Sequence, residues 1–335
     1  MKPLTIRTLK DGYWDLTTVV RARDGILRVR KESRKTGNPG PWAHEALRNE
    51  ISYLQNLPDP AKPYFPPLLD CWDDRTIGYE IPYYPDRPDL ARLTLEKKLD
   101  SGPLEKIQDE LAQAILTGLH DSEECDGRAF CIHLKSVIEE SIEHLAPIKE
   151  FSELIEADSL VLNDEDLPGL RHSFELLGNS GAWEHLAAQP SVRIHGDLIL
   201  ENMLWSPLLL IDPVSVAGLT HGHPLFDLVK HESYARGELY AIREELVRAE
   251  RLEDHVYLLE IPWTEEPLKP FLERNLTSHF REQFIRHHGG IDLSLYNLID
   301  GYFSLVMARN TAGLHQYARV LKGCQCLAIA SNPQP

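Results

Sequence analysis

The sequence predicts an α+β chain of two lobes, a small β-rich one followed by a larger, mainly helical one. Three observations carry that reading: strand composition crowds the first eighty or so residues, a proline-broken stretch follows, and helical spacing then dominates. The chain has 335 residues, 42% hydrophobic and 26% charged, enough for one large or two medium globular domains.

The segments 4 to 9 (LTIRTL), 17 to 23 (TTVVRAR) and 25 to 31 (GILRVRK) have strand composition, and Asp24-Gly25 is a tight-turn signal between the last two. Gly and Pro in KTGNPGPW end the pattern, and a helix is expected to open near Pro41, where a missing N–H costs nothing. In that helix Leu47, Ile51, Leu54 and Leu57 fall on one face, with Glu50 on or beside it. A buried carboxylate needs a partner. Glu50 either reaches water at the edge of the stripe or meets Arg28, Arg30 or Lys31 from the preceding strand.

Residues 66 to 72 and 76 to 84 read as two more strands joined by a polar turn. The prolines of PDRPDLARL then argue for an extended connector, so the lobes are drawn as 1 to 82 and 83 to 335. Beyond it, Leu104, Ile107, Leu111, Ile115 and Leu119 form a helical stripe. The segments 131 to 145, 237 to 261 and 291 to 328 are also expected to be helical.

A net charge of −17, from 52 acidic against 35 basic residues, disfavours a nucleic-acid partner. No secretory leader is read at the start and no apolar run approaches about 20 residues, so a cytoplasmic protein without a membrane partner is expected, its five cysteines free thiols. The histidines at 221, 223, 231, 287 and 288 lack the spacing of a zinc site and are expected at the surface or as caps.

The chemistry concentrates after residue 195. In HGDLILENMLW, Asp197 and Asn202 flank a short apolar step; MLW (203 to 205) and LLLID (208 to 212) then read as a hairpin turning at Ser206-Pro207. That register sets Asn202 across from Ile211, beside Asp212. An aspartate and an asparagine so placed suit Mg²⁺, and a further carboxylate can accept a hydroxyl proton. Those are the parts needed to move a γ-phosphoryl group to an alcohol.

HGDLILENMLW followed by LIDPVSVAGLTHGHPLFDLVK resembles the aminoglycoside phosphotransferase family, small-molecule kinases of protein-kinase-like fold. The resemblance implies ATP or GTP with Mg²⁺ between the lobes, Asp197 as catalytic base, Asn202 and Asp212 as metal ligands and Asp227 as a brace for the loop. It implies a nucleotide-binding cation in the third strand, Arg28 or Lys31, positioned by Glu50, and adenine recognition near Ile81 or Tyr83, since Pro82 has no N–H. His223 and Val229 depart from the family pattern, and the first hairpin has only Gly12 where protein kinases are Gly-rich, which leaves the phosphate lid undefined. His195 is expected to be structural. With only fourteen residues between Asp212 and Asp227 there is no protein-kinase activation segment, so the expected acceptor is a small hydroxyl compound: a sugar, an aminoglycoside or an amino alcohol. A catalytically silent scaffold and a metal-dependent hydrolase are the rival readings.

Overall fold

Strand propensity at the start of the chain is realised as one antiparallel sheet. The computed structural model describes residues 4–12, 15–33, 40–100, 102–214 and 218–332, leaving aside the side chains of 40–43; the break expected at 35 to 42 falls largely outside these residues. The strands β1 (Leu4–Asp11), β2 (Asp15–Arg21), β3 (Leu27–Ser33), β4 (Asp70–Asp73) and β5 (Ile77–Pro82) lie in the order β1-β2-β3-β5-β4. The β2/β3 connection is looser than Asp24-Gly25 suggested. Arg21 pairs with Leu27, so the link spans residues 22 to 26. Gly25 still supplies a φ of +81°, and the Asp24 side chain accepts the Ile26 N–H at 3.0 Å, a local bond that opens the turn.

Helix α1 (Gly40–Gln55) packs on this sheet through the stripe read from sequence, with Leu47 and Leu54 buried and Ile51 partly so. Glu50 is buried with them, 4% exposed, so the edge-and-water alternative does not apply.

The connector contains more structure than its prolines implied. Asp89 accepts the Arg92 N–H at 2.7 Å and starts a short helix, α2 (Leu90–Leu95), because proline restrains only the residues up to Pro88. Helix α3 (Leu104–Ala112) continues into π-type turns through Gln113–His120, burying Ile107, Leu111, Ile115 and Leu119 as their spacing required. A three-stranded sheet joins β6 (Glu124–Cys125), β9 (Ser191–Arg193) and β12 (His221–Gly222). Between β6 and β9 lie α4 (Arg128–Leu145), α5 (Ser152–Glu156), β7 (Leu160–Leu162), β8 (Glu165–Leu167), α6 (Leu170–Asn179) and α7 (Ala182–Ala188). The small hairpin β10 (Met203–Leu204) and β11 (Leu209–Leu210) pairs in the expected register.

Helix α8 (Leu225–Ala235) follows, then α9 (Glu238–Arg243). Here the helical expectation for 237 to 261 fails in its second half, which forms the hairpin β13 (Arg248–Glu253) and β14 (Val256–Glu260). Tyr257 and Leu259 are buried at a period of two, and β14 is completed by β7, nearly a hundred residues upstream. Asn163 holds it there, donating to the Leu259 carbonyl at 3.0 Å and accepting its N–H at 2.8 Å. A distant partner strand outweighed the local helix propensity. Helices α10 (Lys269–Arg274), α11 (Ser278–His288), α12 (Leu293–Ala308) and α13 (Gly313–Ser331) complete the chain, α12 packing on α4, α8 and α13. Among the described residues no helix is long and apolar enough to cross a membrane.

Candidate active site

Strand β9 delivers the segment His195-Gly196-Asp197. Gly196 has a φ of +83°, a conformation a side chain would resist. The turn is held by Asp227, fully buried in the first turn of α8, whose carboxylate accepts the His195 N–H at 2.8 Å and the Gly196 N–H at 2.9 Å. His195 is fully buried, its Nδ1 accepting the Asp197 N–H at 3.3 Å. Burial lowers its pKa, so the ring is neutral and serves the loop backbone.

The hairpin places the next two groups. The Ile211 N–H donates to the Asn202 carbonyl at 2.9 Å, which sets Asp212 beside Asn202. The Asn202 amide nitrogen donates to the Asp197 carbonyl at 2.9 Å and to its carboxylate at 3.0 Å. Both amide hydrogens are thereby used, and the amide oxygen is the end left for a cation. Asp212 and Val214 have φ values of +52° and +64°, and the Val214 N–H returns to the His195 carbonyl at 2.7 Å. A β-branched residue in that region is strained, at a cost of about 1 to 3 kcal/mol, and such strain tends to gather at functional sites.

From the N-terminal sheet, Lys31 reaches this loop. Its Nζ donates to both Glu50 oxygens, at 3.0 and 2.9 Å, and to Asp212 Oδ1 at 3.2 Å, with Asp15 at 4.0 Å. Tyr79, opposite Lys31 in β5, donates its hydroxyl to Glu50 at 2.7 Å. Burial pushes the Glu50 carboxyl up to about 7, against the pull of Lys31. For Lys31 burial works against the charge, but Asp212 and Glu50 outweigh it and hold the ammonium well above its ordinary value. Burial also opposes the Asp212 charge, and Lys31 overcomes it, leaving that carboxyl below its usual range. The Asp212 side chain remains 32% exposed, open to a ligand.

Arg28, the other candidate cation, lies elsewhere. Side chains alternate along β3, and Arg28 points away from Glu50, pairing with Asp24 at 2.6 Å and Glu80 at 3.2 Å. Arg30 joins it on Glu80. Ile81 sits in β5 opposite Val29 with its side chain buried, so only its backbone is available to a ligand. The connector beyond it is tied to the loop: the Trp205 N–H donates to the Pro88 carbonyl at 3.0 Å.

One group escaped the sequence reading. Lys230, on α8, places its Nζ 3.2 Å from Asp197 Oδ1. A signal existed, since Lys230 is three residues after Asp227 and so shares the helix face that braces the loop. Tyr79 and Asp15 were also missed, and nothing local marks them.

The histidines are dispersed among separate partners. His221 pairs with Glu123, His231 bonds the Leu276 carbonyl at 2.9 Å, His287 meets Asp121 at 2.9 Å, and His288 meets His120 at 3.0 Å. His231 is buried rather than at the surface, because its helix lies under α11. Among the described residues no three His, Cys, Asp or Glu side chains gather as a metal site.

A scan against protein-family models finds no match, and neither does a search of curated proteins. Solved structures do match. A candidate fructosamine-3-kinase from Thermobifida fusca superposes with a TM-score of 0.57 at 16% identity, over 98% of this chain and 94% of that one. The fold is protein-kinase-like. The likeness drawn from HGDLILENMLW and LIDPVSVAGL is thus shown at the level of the fold. A choline kinase from Cryptosporidium parvum is similar at 13% identity and a TM-score of 0.45, over 97% of this chain and 87% of that one. A macrolide 2'-phosphotransferase from Brachybacterium faecium is similar at 16% and 0.41, over 99% and 92%. The fold assignment rests on the first of the three.

Proposed function

We propose that the chain is a small-molecule kinase, moving the γ-phosphate of a nucleotide to a hydroxyl. The observation that carries this is an unbroken chain of contacts: Glu50 to Lys31, Lys31 to Asp212, Asp212 through the backbone pair Ile211–Asn202, and Asn202 to Asp197. Residues 1 to 82 are then the nucleotide-binding lobe and 83 to 335 the catalytic and substrate-binding lobe.

In this reading Lys31, oriented by Glu50, grips the nucleotide phosphates, while Arg28 is occupied by Glu80 and takes no part. The backbone near Ile81 is the adenine-binding candidate. Asp212 and the Asn202 amide oxygen are the magnesium ligands, an oxygen set that suits this hard cation; a site completed by phosphates needs no third protein ligand. Bound there, magnesium would neutralise charge on the phosphates. Asp197 orients the acceptor hydroxyl and takes its proton. The partially exposed Asp212 and Asp197 side chains, 32% and 28%, are open to such ligands.

Sugars, aminoglycosides and amino alcohols are the acceptor classes proposed, and the acidic charge of the chain suits the cationic ones. The test is a screen of phosphate transfer from ATP and from GTP, with magnesium, against a panel of these compounds. Transfer to at least one acceptor is expected. Nucleotide hydrolysis that no acceptor accelerates would favour the hydrolase reading, and absence of nucleotide binding would favour the silent scaffold.

A further inference from the structure

Lys230 has no role in the reading above, yet it touches that reading's proposed base. Its side chain is 12% exposed and its ammonium lies 4.7 Å from the centre of the Phe303 ring on α12. A lysine so placed has lost most of its water, and the ring face and Asp197 are what replace it. An ion pair withdrawn this far from water gains little beyond the desolvation cost of its own charges, so folding alone is a weak reason for the arrangement.

The geometry accounts for it better through the carboxylate. Lys230 takes Asp197 Oδ1 at 3.2 Å and Asn202 takes Oδ2 at 3.0 Å. With a donor on each oxygen the carboxylate plane cannot turn freely, and each oxygen keeps acceptor capacity for one further proton donor. Helix α8 therefore pins the loop twice, Asp227 holding its backbone and Lys230 its reactive side chain. The two residues are one turn apart on the same face, so a single rigid element sets both.

We infer that Lys230 is a positioning residue, holding the Asp197 carboxylate in the orientation from which it receives the acceptor proton. This rests on the phosphotransfer reading. The competing account is that Lys230 only covers Phe303 and Asp197 is an incidental counter-ion.

Two variants separate these. Lys230→Met keeps the apolar stem over Phe303 and removes the charge; Lys230→Arg keeps the charge. Turnover of Mg-ATP, its KM, and the thermal midpoint are measured for each, and for both substitutions in an Asp197→Asn background. Lys230→Met is expected to lower kcat at least about tenfold with the KM for Mg-ATP within about twofold and the midpoint unchanged, the pattern of a displaced reacting group. Lys230→Arg is expected to recover most of that loss. In the Asp197→Asn background Lys230→Met should cost nothing more, because it acts only through the missing carboxylate. Independently of activity, the ammonium resonance of Lys230 in ¹⁵N-lysine-labelled protein should be protected from water exchange in the wild type and lose that protection in Asp197→Asn.

Unchanged kcat in Lys230→Met, a loss that follows the thermal midpoint, a loss Arg does not restore, or full additivity with Asp197→Asn would each overturn the inference while leaving the phosphotransfer reading standing. A wild-type protein that neither binds nor turns over Mg-ATP, yet shows the protected ammonium, would instead sink the phosphotransfer reading and take the positioning role with it.

Discussion

Asp212 and Asp197 each carry one lysine at the same distance, 3.2 Å, but the lysines come from opposite parts of the molecule. Lys31 crosses from the N-terminal sheet to a residue 181 positions away, and it arrives already committed to Glu50. Lys230 stands 33 residues beyond Asp197, on the helix that braces the same loop. The first pair therefore reports how the sheet sits against the helical region. The second is set wholly within that region.

The largest effects should come from breaking either pair at its acid. Asp212→Asn is expected to abolish Mg-ATP turnover, because it removes the one carboxylate proposed to hold the metal. Asp197→Ala should lower turnover by about 10² to 10⁴, the range for a lost general base, and unchanged turnover in both variants would reject the mechanism. Glu50→Gln should act on one pair alone: Lys31 loses its anchor, and kcat/KM for Mg-ATP is expected to fall by about tenfold while the Lys230 ammonium signal keeps its protection. Equal disturbance of both lysines would erase the distinction between the two regions.

Smaller effects concern stability. Asp227→Asn puts an amide NH2 where one of two backbone N–H groups now meets a carboxylate oxygen, and chemical denaturation should show a loss of about 1.5 to 3 kcal/mol. The pH dependence has opposite signs at the two ends of the Lys31 cluster. Glu50, whose carboxyl is raised to about 7 in the fold from an ordinary 4.5, contributes stability that is present below the ordinary value and lost as pH climbs through about 7. Asp212, held below its ordinary value, contributes stability that is present above that value and lost as pH falls through its lowered one. Denaturation midpoints measured between pH 4.5 and 7.5 should lose their downward slope in Glu50→Gln. A slope that survives would assign it to other groups.

Much of the candidate site's geometry was legible because it is written locally. The five-residue step from Asp197 to Asn202 and the Ser206-Pro207 turn are governed by hydrogen bonds within one short loop and a hairpin, while Asp227, at a helix start, reaches the same loop from 31 and 32 residues away. The helical stripes at 47 to 57 and 104 to 119 were legible for the same reason, since a helix face depends on neighbours three and four residues apart. Lys230 belongs with them by position, at one turn from Asp227, and was passed over because a lone lysine on a helix usually faces water.

The remainder was out of reach of any local pattern. Arg28 and Lys31 are three residues apart in one strand, and only the way β3 lies under α1 sends Lys31 to Glu50 and Arg28 to Glu80. Val256–Glu260 became a strand because β7 was there to receive it, although its own stretch reads as helix. The amino-acid order marked the loop's own hydrogen bonds and the helix faces, since those interactions close over a few residues. Which cation meets which carboxylate, and which segment becomes an inner strand, was settled by contacts between separate elements, from 19 residues apart for Lys31 and Glu50 and 52 for Arg28 and Glu80 to 181 for Lys31 and Asp212, whose partners exist only once the chain has collapsed.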